Sequence, residues 1–238
     1  MEVCLGGELW TKLRDDGRFD ETTTKFYAAC VIEALDYLHE RNIAYRDLKP
    51  ENLLMDARGY VKLIDFGFAK LIGERDKTKT LCGTPEYVAP EVILDQGHDT
   101  TVDFWSLGIL IYELSTGYPP FTNSEDTLDL YQEILEGFEG YKFSKHISDE
   151  TRSIIKKFCK QNPKERLGAQ RAGYMGIRRH KFFKGFHWLR LQNRTMQPPF
   201  RPKIENKLDT SNFDECDNSD DEEDLVDEFS GWDEYFGS

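Results

Sequence analysis

"YRDLKPEN", Tyr45 to Asn52, holds two cations, two carboxylates, a proline and an amide in eight residues, between apolar runs. Ahead of it, "TTTKFYAACVIEALDYLHERN" places Phe26, Cys30, Leu35 and Leu38 at helical spacing. A run of threonines is available for the N-cap and Asn42 stands near the stop, so the spacing predicts one long amphipathic helix. Behind it, "NLLMDARGYVKLIDFG" reads as two short strands around an Arg-Gly turn, with Val61 and Leu63 alternating against Lys62. Asp47, Lys49 and Asn52 therefore share one loop between helix and strand, and Asp65 follows the next strand. A base, a cation and two oxygen ligands are brought together. Phosphoryl transfer needs this set, because positioning and charge neutralisation supply almost all of its catalysis. Asp47 can accept the proton of an incoming hydroxyl, Lys49 can neutralise the transferring oxygens, and Asn52 with Asp65 can hold Mg2+, which favours hard oxygen ligands.

The chain around this loop is long enough, at 238 residues, to bury a large core. Glu205 to Ser238 carries fourteen acids and one base, Lys207, while the whole chain has a net charge of −13. The body is thus neutral and the tail carries the imbalance, which argues against a nucleic-acid surface. The basic run "RRHKFFKGF", Arg178 to Phe186, reads as a solvated helix end. Five scattered cysteines read as reduced thiols, and no signal-peptide pattern opens the chain, so a cytoplasmic location is expected. "FWSLGILIYEL", Phe104 to Leu114, is apolar all round but too short to span a bilayer, which predicts a buried central helix and no transmembrane segment.

Further along, "ERDKTKTLCGTPEYVAPE" is a long polar loop of the kind that usually carries function. Helices are expected over Thr127 to Leu135, Asp149 to Cys159 and around Tyr174 to His180. Lys184 to Ser238 reads as an extended acidic tail without a core of its own, disordered over Asp217 to Glu228. The fold class expected is α+β and mostly helical.

"YRDLKPEN", "DFG" (Asp65 to Gly67) and "APE" (Ala89 to Glu91), in that order with a phosphorylatable loop between them, match the protein-kinase motif set. Tyr45 in place of the common His resembles the AGC group of serine/threonine kinases. So do "LCGTPEYVAPE", "DFWSLG", "GYPPF", "ERLG" and "DTSNFDE". Within that group "LGGELWT", "QGHDTTVDFWSLG" and "SGWDEYF" look most similar to cyclic-GMP-dependent kinases, with the cyclic-AMP-dependent ones a near second.

The resemblance implies ATP and Mg2+ as cofactors, and roles for particular residues. Thr80 is the activation-loop phosphosite, with Arg46 and Lys70 as receivers of its phosphate. Thr84 braces Asp47 and Lys49. Asp103 pins the catalytic loop, Glu91 pairs with Arg166, and Tyr45 and Phe66 stack above Asp103. Glu2 and Cys4 match the hinge backbone that holds adenine, Glu8 the ribose contact, and Leu54 and Phe213 the walls of that pocket. Glu8, Glu51 and Glu113 match carboxylates that read basic residues before a target Ser or Thr. Cys82, beside the phosphosite, reads as a plain loop residue.

The same resemblance sets residues 1–183 as hinge and carboxyl-terminal lobe and residues 184–238 as the AGC tail. The family also has a glycine-rich loop, a strand lysine and a helix glutamate before the hinge, and none is present here. The chain is therefore expected to need an amino-terminal lobe and cyclic-nucleotide-binding domains as partners. The other reading is a catalytically silent lobe that binds kinase substrates or regulators.

Overall fold

In the computed structural model, residues 3–73, 76–122 and 126–214 are described. Helices α1 (Leu9–Asp16) and α2 (Glu21–His39) lead into strands β1 (Ile43–Ala44), β2 (Leu53–Met55), β3 (Val61–Leu63) and β4 (Lys70–Leu71). Helices α3 (Pro90–Ile93), α4 (Val102–Thr116), α5 (Thr127–Glu136), α6 (Asp149–Phe158), α7 (Gly173–Arg178) and α8 (Trp188–Gln192) follow. Helix α4 sits at the centre, with all 15 of its residues buried, as its unbroken apolar sequence demands. It packs on α6 and α2. Gly108 of α4 allows the α6 contact, because a methyl there would collide with the Cys159 sulfur.

Helix α2 is buried on all sides from Phe26 to Ala29 and then along one face, through Val31, Ile32, Leu35 and Leu38, with Tyr37 exposed. Its N-cap is not one of the threonines. Asp20 holds the extended cap conformation and its carboxylate accepts from Thr23 N at 2.7 Å, while Thr24 lies within the helix, fully buried. A carboxylate at the positive end of the helix is the stronger cap. Asn42 ends the segment at φ 56°, as its tolerance of left-handed backbone allows.

The strands form two antiparallel pairs. Leu53 faces Leu63 and Met55 faces Val61 in the first; Ile43 faces Leu71 and Ala44 faces Lys70 in the second. The hairpin turn is held by Asp56, whose Oδ1 accepts from Arg58 N and Tyr60 N. Gly59 takes φ 94° there, and a side chain would strike the carbonyl oxygen of Phe200.

That last contact corrects the reading of the segment after Lys184 as an extended tail. Residues 185–214 include α8, bury Leu191, and lay Phe186, Trp188, Met196 and Phe200 against the main core. The apolar side chains in "GFHWLRLQ" are few, yet enough for α8 to pack on α2. Residues 215–238, with the expected disordered stretch and terminal aromatics, lie outside the described residues. Among the described residues no helix is long and apolar enough to cross a membrane.

Candidate active site

The two strand pairs explain how the candidate residues meet. Segment 45–52 leaves β1 and enters β2, while segment 64–69 leaves β3 and enters β4. Because β1 pairs with β4 and β2 with β3, the two connections must run side by side. Tyr45 ties them together, its phenol donating to the Ile64 carbonyl at 2.5 Å, and its ring meets Phe66 edge-on at 5.4 Å.

Asp47 is 5% exposed and both its oxygens are engaged. Asn52 Nδ2 donates to Oδ2 at 2.8 Å and to the Asp47 carbonyl at 2.8 Å; Thr84 Oγ1 donates to Oδ1 at 3.1 Å. Lys49 Nζ stands 3.8 Å from Oδ2. Pro50–Asn52 forms a 3-10 turn that brings Asn52 back onto Asp47. Asp65 is exposed at φ 52°, one oxygen accepting from Gly67 N at 3.0 Å.

Arg46 also has a left-handed backbone, φ 69°, a conformation that costs a non-glycine residue about 1–2 kcal/mol. Asp103 holds it there. Its Oδ2 accepts from Tyr45 N at 2.9 Å and its Oδ1 from Arg46 N at 2.8 Å, with the carboxylate fully buried. Two successive amides captured by one carboxylate turn the chain so that Asp47 follows in place. His39, which the sequence reading did not single out, donates or accepts at Nε2 to Asp103 Oδ2 at 2.7 Å. Its only signal was position, six residues ahead of Tyr45.

Around the long polar loop, Arg46 Nε donates to the Phe68 carbonyl at 2.7 Å, and His98 Nε2 lies 3.4 Å from its guanidinium. Burial and the Arg46 charge push the His98 pKa down. Lys70 reaches Thr78, not Thr80, at 2.8 Å; Thr80, exposed, lies 3.5 Å from the Thr78 hydroxyl. Lys70 and Thr80 are thus linked through Thr78, the residue sequence reasoning passed over, while Arg46 meets the same loop through His98, whose carbonyl accepts from Thr78 N at 2.9 Å.

Glu91 and Arg166 form a two-pronged pair at 2.6 Å for each prong, 4% and 0% exposed. Arg166 also donates to the carbonyls of Thr101 and Lys160, each at 3.0 Å.

The three candidate specificity carboxylates are electrostatically coupled. Burial raises Glu113 to about 7, its Tyr87 hydrogen bond opposes this, and Glu51 and Glu86 add repulsion. Burial also raises Glu8, with Glu51 and Asp214 adding repulsion and Arg14 opposing it. One Glu51 oxygen, Oε2, is shielded from water with no hydrogen-bond partner among the described residues. Glu8 pairs by a β-bridge with Leu54, and with Phe213 it lines a cavity of about 250 Å³ beside α1. Cys4 is buried nearby in sequence, and Glu2 lies outside the described residues.

The site thus joins a buried Asp, hydrogen-bonded to an Asn and a Thr, with a Lys beside it and an exposed Asp on the adjoining loop. The protein kinase domain family matches residues 1–183, and the chain belongs to that family. It is 57% identical over 236 residues to the fruit-fly (Drosophila melanogaster) cGMP-dependent protein kinase, isozyme 2 forms cD5/T2, covering 99% of this chain and 25% of that protein. It is 52% identical to Caenorhabditis elegans cGMP-dependent protein kinase egl-4 and to human cGMP-dependent protein kinase 2, again over 99% of this chain, and 30% and 31% of those proteins. The chain thus spans between a quarter and a third of the length of these relatives.

Proposed function

We propose that this chain is the carboxyl-terminal catalytic lobe and tail of a serine/threonine protein kinase of the cyclic-GMP-dependent type. Completed by an amino-terminal lobe, it transfers the γ-phosphate of ATP to Ser or Thr in proteins with basic residues ahead of the acceptor. The observation that carries this is the Asp47 carboxylate, held on both oxygens by Asn52 and Thr84 with Lys49 alongside.

In this reading Thr84 and Asn52 aim Asp47 at the acceptor hydroxyl, whose proton it takes as the oxygen attacks. Lys49 neutralises the oxygens of the phosphoryl group in flight. The donor set suits Mg2+: Asn52 spends its amide N–H on Asp47, leaving Oδ1 uncommitted to that contact, and Gly67 engages one oxygen of exposed Asp65. Among the described residues no group of three His, Cys, Asp or Glu could hold a metal, so the remaining ligands would come from nucleotide and water. Mg2+ bound there would neutralise phosphate charge. Arg46 and Lys70 would receive a phosphate on Thr80. Glu8, Glu51 and Glu113, crowded like charges with one unpartnered oxygen, gain most from a substrate cation entering among them.

The test is phosphorylation of a basic Ser/Thr peptide by the complete protein, by residues 1–238 alone, and by the Asp47→Asn form of each. We expect activity only in the complete protein, reduced at least about 1000-fold by Asp47→Asn. Activity of residues 1–238 alone, abolished by Asp47→Asn, would overturn the need for a further lobe. A complete protein that binds basic peptides without phosphorylating them would instead establish the silent binding module.

A further inference from the structure

Three side chains from three helices, those of His39 and Asp103 buried and that of Tyr174 half-buried, form one hydrogen-bonded line behind the catalytic loop. Tyr174 of α7 has its phenol oxygen 2.8 Å from His39 Nδ1 at the end of α2, and His39 Nε2 lies 2.7 Å from Asp103 Oδ2 in α4. Asp103 in turn holds the Tyr45 and Arg46 amides. We propose that Tyr174 is a positioning residue: its hydroxyl donates to His39 Nδ1, which places the imidazole proton on Nε2 and aims it at Asp103, so that both carboxylate oxygens face the catalytic loop.

The proton bookkeeping leaves little choice. Asp103 Oδ1 and Oδ2 each accept a backbone N–H, which needs the carboxylate form. Nε2 must then donate rather than present a lone pair to the same oxygen. A neutral ring with hydrogen on Nε2 has a bare lone pair on Nδ1, and His39 is only 7% exposed on its side chain. That lone pair needs a donor, and the Tyr174 hydroxyl is the group in reach. Burial, then the charges of Asp103 and Asp36, hold this phenol protonated well above its ordinary range, against the pull of Arg178. The rings of His39, Tyr174 and Phe104 meet one another edge-on or tilted at 5.3 to 5.8 Å, so the imidazole is clamped against turning over. Removing the hydroxyl leaves a buried acceptor unmade. The ring then loses the contact that fixes its plane, so its Nε2 hydrogen is aimed less squarely at Asp103 and the left-handed turn at Arg46 loosens.

This rests on the reading of Tyr45–Asn52 as a catalytic loop, and the experiment separates the two. The nitrogen-15 shifts of His39 and the amide signals of Tyr45 and Arg46 are recorded in the 238-residue chain, wild type, Tyr174→Phe and Met175→Ala; peptide kinetics are measured in the complete protein. We expect His39 in the wild type with hydrogen on Nε2 alone, the same tautomer in Tyr174→Phe with a displaced Nδ1 signal and shifted Tyr45 and Arg46 amides, and no change in Met175→Ala, whose side chain is exposed on the same helix. In the complete protein Tyr174→Phe should lower kcat by about three- to tenfold with KM for ATP and peptide unchanged. Hydrogen on Nδ1 in the wild type would overturn the proposal even if the variant failed to fold. So would a Tyr174→Phe chain with unaltered His39 and loop signals, or a loss confined to KM. A complete protein inactive in every form would sink the kinase reading while leaving the His39 result to stand or fall separately.

Discussion

Glu113 is a carboxyl inside the apolar central helix, pushed up to about 7 from an ordinary 4.5 by burial and by neighbouring Glu51 and Glu86. Below pH 4.5 both folded and unfolded chains are protonated there, and its contribution to stability is full. Between 4.5 and about 7 the unfolded chain gives up its proton and the folded one keeps it, so stability falls; above 7 the loss is complete. Glu113→Gln should flatten this slope, measured as urea midpoints between pH 5 and 8. The same titration bears on substrate. If Glu113 receives a peptide cation, as proposed, it must be ionised to do so, and KM for a basic peptide in the complete protein should fall as pH rises through 7 and lose that dependence in Glu113→Gln. Replacement by Lys is the wrong probe at a site 6% exposed, because it would bury a second charge. Arg166 calls for the opposite caution. Its fork fills both Glu91 oxygens and two carbonyls, geometry a lysine does not reproduce. Arg166→Lys should therefore destabilise by about 3 kcal/mol in thermal or urea unfolding, and an effect under about 1 kcal/mol would show the pair to be dispensable.

At the scale of elements, Asp20 is the test of how α2 begins. Asp20→Ala should cost about 1 kcal/mol of stability and Thr22→Ala, at an exposed position of the first turn, close to nothing; equal midpoints for the two variants would refute the assignment of the cap. The sequence announces a helix here through Phe26, Leu35 and Leu38, but its boundary rests on which of several polar residues turns extended, and three threonines in a row obscure an aspartate before them. The hairpin of β2 and β3 was legible for a firmer reason: "DARG" offers both the carboxylate and the glycine its turn uses. Strands β1 and β4 were not legible, since two residues each carry no alternation, yet their pairing is what lays the Asp65 loop beside the Asp47 loop. The left-handed turn at Arg46 was equally silent, because nothing local favours it; Asp103, fifty-seven residues beyond, holds it. The candidate residues themselves could be read from the sequence because their types and order carry the chemistry. What fixes them in place comes from distant side chains, and His39 and Tyr174 are of that kind.

For the whole molecule, the question is whether the chain after Lys184 is an appendage or part of the domain. Tyr60 donates to the Met196 carbonyl at 2.6 Å, Arg194 pairs with Asp56 and lies over the Tyr60 ring, and Leu191 is 4% exposed. Farther on, Asn212 bonds the Leu5 and Lys203 carbonyls, and Arg14 grips Asp214 through both prongs at 3.0 and 3.1 Å. The two stretches differ in kind. Leu191 is buried and Trp188, Met196 and Phe200 are half-buried against the main core, where a fully buried side chain of this size contributes about 1.5–3 kcal/mol. The Arg14–Asp214 pair is 44% and 60% exposed, and ion pairs so open to water add little. Two truncations follow from this difference. Ending the chain after Ile204 removes fourteen acids but, among the described residues, few apolar contacts, and should move the urea midpoint by the equivalent of about 1 kcal/mol or less. Ending it after Lys184 uncovers the core and should cost at least about 3 kcal/mol, with a smaller denaturant slope because less surface remains to expose on unfolding. If both truncations unfolded at the wild-type midpoint, the packing of residues 185–200 would contribute nothing to the fold, and the domain would end at Phe183.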